Sequence, residues 1–246
     1  MQFSTAPLRI SFFGGSTDYK DFYEKHGSVI VGTTIDKYAY SFLRYKPPFL
    51  KKNSYIAYSN HEIVNEVEEI ANPLIKETLK YFSIYEYIDL ITFNDVPSRN
   101  VLKDSGGIQD QIWAGSKGFN TITIDQSGNF RVRPLSISQE FIKEFRESIA
   151  LIYTNSQREN KRIAESHEKV DKKNIYDLAI QGQHLFEKED IKSIGKLLRQ
   201  TWEEKKRISD LITTKEIDSV IDTSLTAGAY GAKLLGSGGC GFVCIV

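Results

Sequence analysis

Apolar and polar residues alternate in short runs through the first half of the chain, which is the pattern of β-strands. The run at 8–12 breaks at Gly14-Gly15, and the runs at 29–35 and 38–43 are rich in β-branched and aromatic residues. Further strands are predicted at 55–58, 88–93, 121–124 and 130–132. The residues at 125–129, between the last two, indicate a hairpin turn.

Two helices are predicted within this β-rich half. Residues 16–18 (Ser-Thr-Asp) are expected to cap a short helix that ends near Tyr23. A second helix is predicted at 73–82. Its apolar residues are expected to share one side: Leu74, Ile75, Leu79 and Phe82.

Helical spacing dominates the second half of the chain. Ser138 is expected to cap a helix that runs to about Glu147, followed by a buried strand at 149–153. Helices are then predicted near 157–169, 173–188, 190–207 and 215–227, and a final strand at 242–246. Asp190 is a good N-cap for the third of these helices. Its apolar stripe is interpreted as core: Ile191, Ile194, Leu197, Leu198 and Trp202.

A β-rich half followed by a helical half with a returning strand predicts an α+β fold of two closely packed subdomains. We place them at 1–135 and 136–246. A chain of 246 residues is long enough to bury a large core in one or two domains.

Composition narrows the function classes. Lys plus Arg and Asp plus Glu both number 32, so no charge excess favours nucleic acid or an anionic membrane. No targeting segment or membrane-length apolar run is visible, and Cys240 and Cys244 are too far apart along one strand for a disulfide. A cytoplasmic protein is therefore expected. The four scattered histidines show no zinc-ligand spacing.

The stretch Asp104-Ser105-Gly106-Gly107-Ile108-Gln109-Asp110-Gln111 is the first candidate for chemistry. Two glycines allow close approach of the backbone to a ligand, and an acid just beyond them can accept a proton. An ordinary turn with a solvated Asp110 is the alternative.

Two other glycine-marked turns carry polar groups. In the first, Arg9 on a strand precedes Gly14-Gly15 and Asp18, a set that suits a sugar-like ligand. A surface strand residue and a helix cap are the alternatives for Arg9 and Asp18. In the second, Gly236-Ser237-Gly238-Gly239-Cys240-Gly241 can present N–H groups to an anion, or can simply form a tight turn into a core strand.

Together and in this order, the three stretches resemble the GHMP sugar-kinase family, most closely its heptose branch. The matching segments are APLRISFFGGSTDYKDFYEKHGSVIVGTTIDKYAY, SGGIQDQIWAGSKGFN and AGAYGAKLLGSGGCGF. The resemblance implies a kinase that uses ATP and Mg²⁺ to phosphorylate the anomeric hydroxyl of D-glycero-D-manno-heptose 7-phosphate. A galactokinase-like or fucokinase-like acceptor is an alternative, as is a non-catalytic sugar-binding relative.

The resemblance also implies roles for single residues. Asp110 is the base for the acceptor hydroxyl, and Arg9 steadies negative charge beside it. Arg158 could meet the substrate's phosphate, although Gln157 replaces the Ser that usually precedes it. Sugar contacts are implied for Gly14, Gly15, Thr17, Asp18 and Gly107, and nucleotide contacts for Gly236, Ser237, Gly238 and Gly239.

One expected motif is missing. A phosphate loop and helix should follow Arg99, but the chain runs directly into the segment before Asp104. Either the protein has the loop and this sequence omits it, or the chain has lost its triphosphate cradle and binds sugar without catalysis. We favour the first explanation, because a missing core helix would leave a large apolar void. The sequence indicates neither the magnesium ligands nor the oligomeric state.

Overall fold

The structure is a computed structural model that describes residues 1–96, 107–154 and 170–246. The chain groups into two units that are interleaved in sequence: Met1–Leu8 with Ile35–Lys103, and Arg9–Thr34 with Asp104–Val246. Two long strands, β1 (Gln2–Phe13) and β2 (Ser28–Tyr45), contribute residues to both units. The predicted boundary between residues 135 and 136 stays a prediction.

In the first unit, the second half of β2 pairs antiparallel with β5 (Ile88–Asn94). β5 pairs parallel with β3 (Ser54–Ala57), which pairs antiparallel with β4 (His61–Val64). The prediction of separate strands at 29–35 and 38–43 is wrong, because β2 is continuous. No glycine or proline interrupts it at Asp36-Lys37, so nothing breaks the extended backbone there.

The core of the first unit lies between its strands, the 3-10 helix Val67–Glu69 and α2 (Pro73–Tyr81). The Ile75 N–H donates to Asn72 Oδ1 at 3.0 Å, which caps α2. Ile75 and Leu79 are buried, as predicted, but Leu74 and Phe82 are 58% and 65% exposed. Leu74 lies about 100° around the helix from Ile75, and Phe82 follows the last helical residue, so neither shares the buried face.

In the second unit, the first half of β2 pairs antiparallel with β6 (Phe119–Ile124), and β6 pairs antiparallel with β7 (Phe130–Pro134). The predicted hairpin between β6 and β7 is confirmed. Asp125 Oδ1 accepts from the N–H groups of Ser127 and Asn129, both at 2.9 Å. Gly128 takes a φ of 83°, a left-handed conformation that favours glycine.

After β7, the described residues of the second unit form the helices α4 (Gln139–Glu147), α5 (Lys173–Glu187), α6 (Ile191–Lys206) and α7 (Lys215–Thr226). The predicted caps are confirmed, since Phe141 N–H donates to Ser138 Oγ at 3.1 Å and Ser193 N–H to Asp190 Oδ1 at 3.0 Å. Four residues of the predicted α6 stripe are buried core: Ile194, Leu197, Leu198 and Trp202. The fifth, Ile191, is only half-buried, because it is the first residue of the helix. The helix predicted at 157–169 lies outside the described residues.

The returning strands form a three-stranded antiparallel sheet in the order β8 (Ala150–Tyr153), β10 (Phe242–Ile245), β9 (Ala232–Leu234). The prediction that β8 is buried is wrong, because its residues 151–153 are 40–42% exposed. β8 is an edge strand with one neighbour in the sheet. The predicted combination of a β-rich first half, a helical second half and returning strands is confirmed.

Candidate active site

An exposed ion pair joins the first and second glycine-marked stretches. Arg9 lies on β1, and Asp110 lies in the first turn of α3 (Gln109–Ala114). Arg9 Nε and Nη2 both donate to Asp110 Oδ1, at 2.8 Å and 2.7 Å. The second oxygen, Oδ2, has no hydrogen-bond partner among the described residues, and the Asp110 side chain is 59% exposed. A carboxylate held by one oxygen and open at the other can accept a proton from a ligand.

A buried junction lies directly beside this pair. Asp18 is 1% exposed, and its carboxylate accepts hydrogen bonds from the Ser16 N–H at 3.2 Å and from the backbone and side-chain nitrogens of Gln109, each at 3.1 Å. Burial raises the pKa of Asp18, and the hydrogen bond from the Gln109 backbone opposes that rise. Asp18 therefore fixes Gln109, the first residue of α3, and Asp110 directly follows Gln109.

The predicted capping of α1 (Lys20–His26) by residues 16–18 is wrong. The residue at the N-cap is Tyr19, and no side chain caps this helix. The Asp18 carboxylate is instead turned to Gln109, as described above. Thr17 is also fully buried: its hydroxyl donates to the Gly14 carbonyl at 2.7 Å and lies 2.6 Å from Ser28 Oγ. The predicted sugar contacts of Thr17 and Asp18 stay predictions.

The glycines of these stretches differ in the space around them. A Cβ on Gly107 would lie 1.8 Å from Asp18 Oδ2, so glycine is required for the carboxylate to approach the backbone. A Cβ on Gly14, whose φ is 80°, would lie 1.8 Å from the Val29 carbonyl oxygen. Gly15 is different, since its nearest neighbours would be Ser11 Oγ at 3.5 Å and Gln109 Nε2 at 3.9 Å. Gly15 is therefore the glycine that the protein itself does not require.

The two side chains nearest to Gly15 each carry a buried polar atom without a partner. Ser11 Oγ and Gln109 Oε1 have no hydrogen-bond partner in the described parts of the chain. Unsatisfied buried polar atoms are costly, and a ligand hydroxyl could both donate to and accept from such a pair. Sequence reasoning missed Ser11. Its signal was a polar residue within the apolar run that leads to the first glycine turn.

The third glycine turn, residues 236–241, uses part of its backbone internally. The N–H of Gly239 donates to the Ile212 carbonyl at 2.8 Å, and that of Gly241 donates to Thr154 Oγ1 at 3.2 Å. The N–H groups of Gly236 and Gly238 donate no hydrogen bond within the described ranges. Open space adjoins Gly236, since a Cβ there would meet nothing within 4 Å. An anion would therefore be received by the first half of the turn.

Two buried lysines lie behind this turn, and sequence reasoning missed both. Lys233 on β9 is 3% exposed and donates to the carbonyls of Phe12, at 2.6 Å, and Ser11, at 3.3 Å. Burial lowers the pKa of Lys233 to about 8, and the charge of Arg9 adds to this effect. Opposite Lys233 on β10, burial raises the pKa of the Cys244 thiol to about 12.

The second lysine, Lys205, is in the last turn of α6 and is 4% exposed. Its amine donates to the Gly236 carbonyl. Burial lowers the pKa of Lys205 well below its ordinary value, and the positive charges of Lys233 and Arg9 lower it further. Helical spacing from Leu198 and Trp202 placed Lys205 on the buried stripe, which was the signal in the sequence.

Three further predictions concern Arg158, metal ligands and membrane-spanning segments. Arg158 lies outside the described residues. Within residues 1–96, 107–154 and 170–246, no three His, Cys, Asp or Glu side chains form a group that could hold a metal ion. In the same ranges, no helix has the length and apolar character needed to cross a membrane.

Comparisons with a family model, with curated proteins and with solved structures agree with one another. Residues 183–245 match the family model described as GHMP kinases C terminal. A D-glycero-alpha-D-manno-heptose 7-phosphate kinase of Campylobacter jejuni is 25% identical over 302 residues, which covers 96% of this chain and 86% of that protein. A crystal structure of a D-glycero-D-manno-heptose 1-phosphate kinase from Bacteroides thetaiotaomicron aligns with a TM-score of 0.74 and 21% identity, covering 99% of this chain and 87% of that one.

Galactokinase of Lactococcus lactis, crystallised with galactose, aligns with a TM-score of 0.70 and 16% identity, covering 99% of this chain and 84% of that one. At these identities the solved structures show the fold, which is that of the GHMP kinases. The matches confirm the resemblance that the three glycine-marked stretches predicted. They also confirm the predicted class of enzyme, a phosphotransferase of the kinase type.

Proposed function

We propose that the protein is an ATP-dependent sugar kinase that phosphorylates the anomeric hydroxyl of D-glycero-D-manno-heptose 7-phosphate. The observation that carries the proposal is the Arg9–Asp110 pair, in which one carboxylate oxygen is held and the other is open. The Campylobacter jejuni relative supports the choice of substrate, because its name specifies a heptose 7-phosphate kinase.

The two charged residues divide the work of phosphoryl transfer. Asp110 Oδ2 accepts the proton of the acceptor hydroxyl as the hydroxyl oxygen bonds to the γ-phosphorus of ATP, and the bond from that phosphorus to the bridging oxygen breaks to release ADP. Arg9 holds Asp110 Oδ1 at 2.7 Å and neutralises negative charge that develops nearby. Asp18 acts through Gln109, since its hydrogen bonds hold the residue that precedes Asp110. Alignment is the main requirement of this chemistry.

The sugar is bound beside Gly15 in this proposal. Ser11 Oγ and Gln109 Oε1 supply a hydroxyl and an amide oxygen that the protein leaves without partners in its described parts. Gly15 allows a ring hydroxyl to approach the backbone there, because it has no side chain and its Cβ position lies 3.5 Å or more from neighbouring atoms. Arg158 is proposed, from the sequence resemblance alone, to meet the phosphate that the substrate already carries.

ATP supplies the phosphoryl group and is proposed to contact the first half of the turn at 236–241. The residues present fit an anion, because the N–H groups of Gly236 and Gly238 are not used within the described ranges and open space adjoins Gly236. No carboxylate cluster for Mg²⁺ is found among the described residues. Magnesium is commonly held through substrate phosphates with one or two carboxylates.

The missing phosphate loop enters the proposal as a second question. The alignment with the Campylobacter jejuni kinase extends over 302 residues, more than the 246 of this chain, so that relative carries residues with no counterpart here. This supports the prediction that a segment is missing relative to the family. The intact mass of the native protein distinguishes the two explanations: a mass well above 28.0 kDa favours the presence of the loop.

The kinase activity is tested by supplying ATP with a panel of acceptors, including the heptose 7-phosphate, galactose and fucose. Formation of ADP is followed in a coupled assay, and phosphorus NMR identifies the ester formed. We expect turnover with the heptose 7-phosphate and an anomeric phosphate in the product. Turnover with galactose or fucose alone would overturn the choice of acceptor. Binding of sugar without binding of ATP, measured by calorimetry, would overturn the assignment as a kinase.

A further inference from the structure

Lys205 has a buried amine that meets no carboxylate in the described parts of the chain. Within the described residues, no acid lies at ion-pair distance from Lys205 or from Lys233, whereas Arg9 is neutralised by Asp110. The Lys205 amine has three N–H groups, and the one acceptor that it reaches in these ranges is the Gly236 carbonyl. Burying an ammonium group with so few partners is costly, and the neighbouring positive charges of Lys233 and Arg9 increase that cost.

The position of this amine explains what could offset the cost. Its acceptor, Gly236, belongs to the half of the turn whose N–H groups are not used internally, and the space beside Gly236 is open. An anion at this half of the turn would meet the N–H groups of Gly236 and Gly238, and the Lys205 amine is already at the carbonyl of the same Gly236. A charge-assisted hydrogen bond in such a setting is stronger than one between neutral groups.

We propose that Lys205 binds a phosphate oxygen of the polyphosphate that the turn at 236–241 receives. The inference rests on the proposed function and extends it, because it names a cationic ligand from α6 that neither the motifs nor the comparisons assign. The Gly236 carbonyl holds the amine beside this half of the turn. When the anion binds, its negative charge favours the protonated amine, which burial disfavours. The protonated amine then donates a charge-assisted hydrogen bond to the anion.

The test measures binding and does not depend on catalysis. Isothermal titration calorimetry with tripolyphosphate is carried out on the wild-type protein, Lys205→Gln and Lys206→Met. Gln keeps a donor for the Gly236 carbonyl but removes the charge. Lys206 is the matched control, because it follows on the same helix, is 31% exposed and pairs with Glu203 at 3.0 Å. We expect affinity to fall about ten- to one-hundredfold in Lys205→Gln and to stay within about twofold in Lys206→Met.

Several outcomes would overturn the proposal. Unchanged affinity in Lys205→Gln would do so, as would an equal loss in Lys206→Met or no tripolyphosphate binding by the wild-type protein. A parallel titration with glucose 6-phosphate identifies the kind of phosphate. If only this sugar phosphate loses affinity in Lys205→Gln, the amine serves a sugar phosphate and the assignment to polyphosphate fails.

A second measurement covers the case in which Lys205→Gln does not fold. The Nζ resonance of Lys205 is assigned in ¹⁵N-lysine-labelled protein with the help of Lys205→Arg. We expect this resonance to shift on saturation with tripolyphosphate, and an unchanged signal would overturn the proposal. The proposed function can fail separately: charge-dependent tripolyphosphate binding without sugar phosphorylation would contradict the kinase and leave the role of Lys205 standing.

Discussion

Two neighbouring carboxylates in this protein have opposite environments. Asp18 is 1% exposed and accepts three hydrogen bonds from protein nitrogens, whereas the Asp110 side chain is 59% exposed and is held at one oxygen by Arg9. Gln109 connects them, since it donates twice to Asp18 and immediately precedes Asp110. The difference indicates that Asp18 fixes the geometry of the site, whereas Asp110 is available to accept a proton from a ligand. Both roles would look alike in a sequence motif.

Substitution of the exposed acid, Asp110, tests the difference between the two carboxylates most directly. We expect Asp110→Asn to lower kcat by about 100- to 10,000-fold, because an amide cannot accept the acceptor's proton. The free energy of unfolding should change by less than about 1 kcal/mol, since the Asp110 side chain is 59% exposed. A coupled ADP assay and urea unfolding measure the two quantities. Turnover near the wild-type value in Asp110→Asn would contradict the assignment of the base.

The junction should fail differently, through packing. We expect Gly107→Ala to lower the free energy of unfolding by about 3 kcal/mol, because the new Cβ would lie 1.8 Å from Asp18 Oδ2. Activity should fall with stability, since the same carboxylate holds Gln109 beside Asp110. Urea denaturation with a parallel activity assay measures both effects.

Gly15→Ala is the matched control for this substitution. Its Cβ would meet only Ser11 Oγ at 3.5 Å and Gln109 Nε2 at 3.9 Å, so we expect the free energy of unfolding to change by about 0.5 kcal/mol or less. If the sugar closes on this position, the KM for the sugar rises while stability is kept. Equal destabilisation by the two substitutions would show that the close approach of the Asp18 carboxylate to Gly107 does not govern stability.

A smaller loss of stability than that of Gly107→Ala is expected when the charge of Asp18 is removed. Asn in its place has one acceptor oxygen for donors that now share two, so we expect Asp18→Asn to cost about 1–2 kcal/mol at neutral pH. The pH dependence gives a second test. Because burial raises the pKa of Asp18, the native state binds more protons than the unfolded state between the ordinary pKa of 3.8 and the raised one. The free energy of unfolding of the wild-type protein therefore falls as pH rises through that window. We expect no such fall from residue 18 in Asp18→Asn, because the amide does not titrate.

Asp125 provides the opposite sign as a control. The hydrogen bond from the Asn129 side chain lowers the pKa of Asp125, so its contribution to stability is present above pH 3.8 and is lost as pH falls. Urea unfolding across acid pH compares the wild-type protein with Asp18→Asn and Asp125→Asn. The same pH trend for both variants would contradict the assigned environment of Asp18.

Local patterns in the sequence predicted most of the elements because those elements depend on local physics. Strand alternation, helical spacing and the Ser138 and Asp190 caps all involve residues close together in the chain. The errors arose where tertiary position decides the outcome. β8 has the composition of a core strand but lies at the edge of its sheet, and Asp18 resembles a helix cap but bonds to a residue 91 positions away.

The candidate site was predictable to a similar extent. Arg9 and Asp110 came from the family resemblance, and the structure brings them into contact. Ser11 and the two buried lysines were not predicted, because serine and lysine are ordinarily surface residues. Lys205 could have been found from its helical spacing, which continues the buried stripe of α6 beyond Trp202. The spacing gives its burial, but only coordinates show that its amine reaches the carbonyl of Gly236.

The close approach of the Asp18 carboxylate to Gly107 limits which substitutions this enzyme can accept, in evolution or in engineering. A carboxylate oxygen occupies the volume that any side chain at residue 107 would need, so the two distant codons cannot change independently. Chimeras that exchange the Gly107–Asp110 segment with a relative would therefore need a compatible partner at residue 18. Libraries built to alter sugar choice have more freedom at residue 15, where a methyl group can be added without steric overlap.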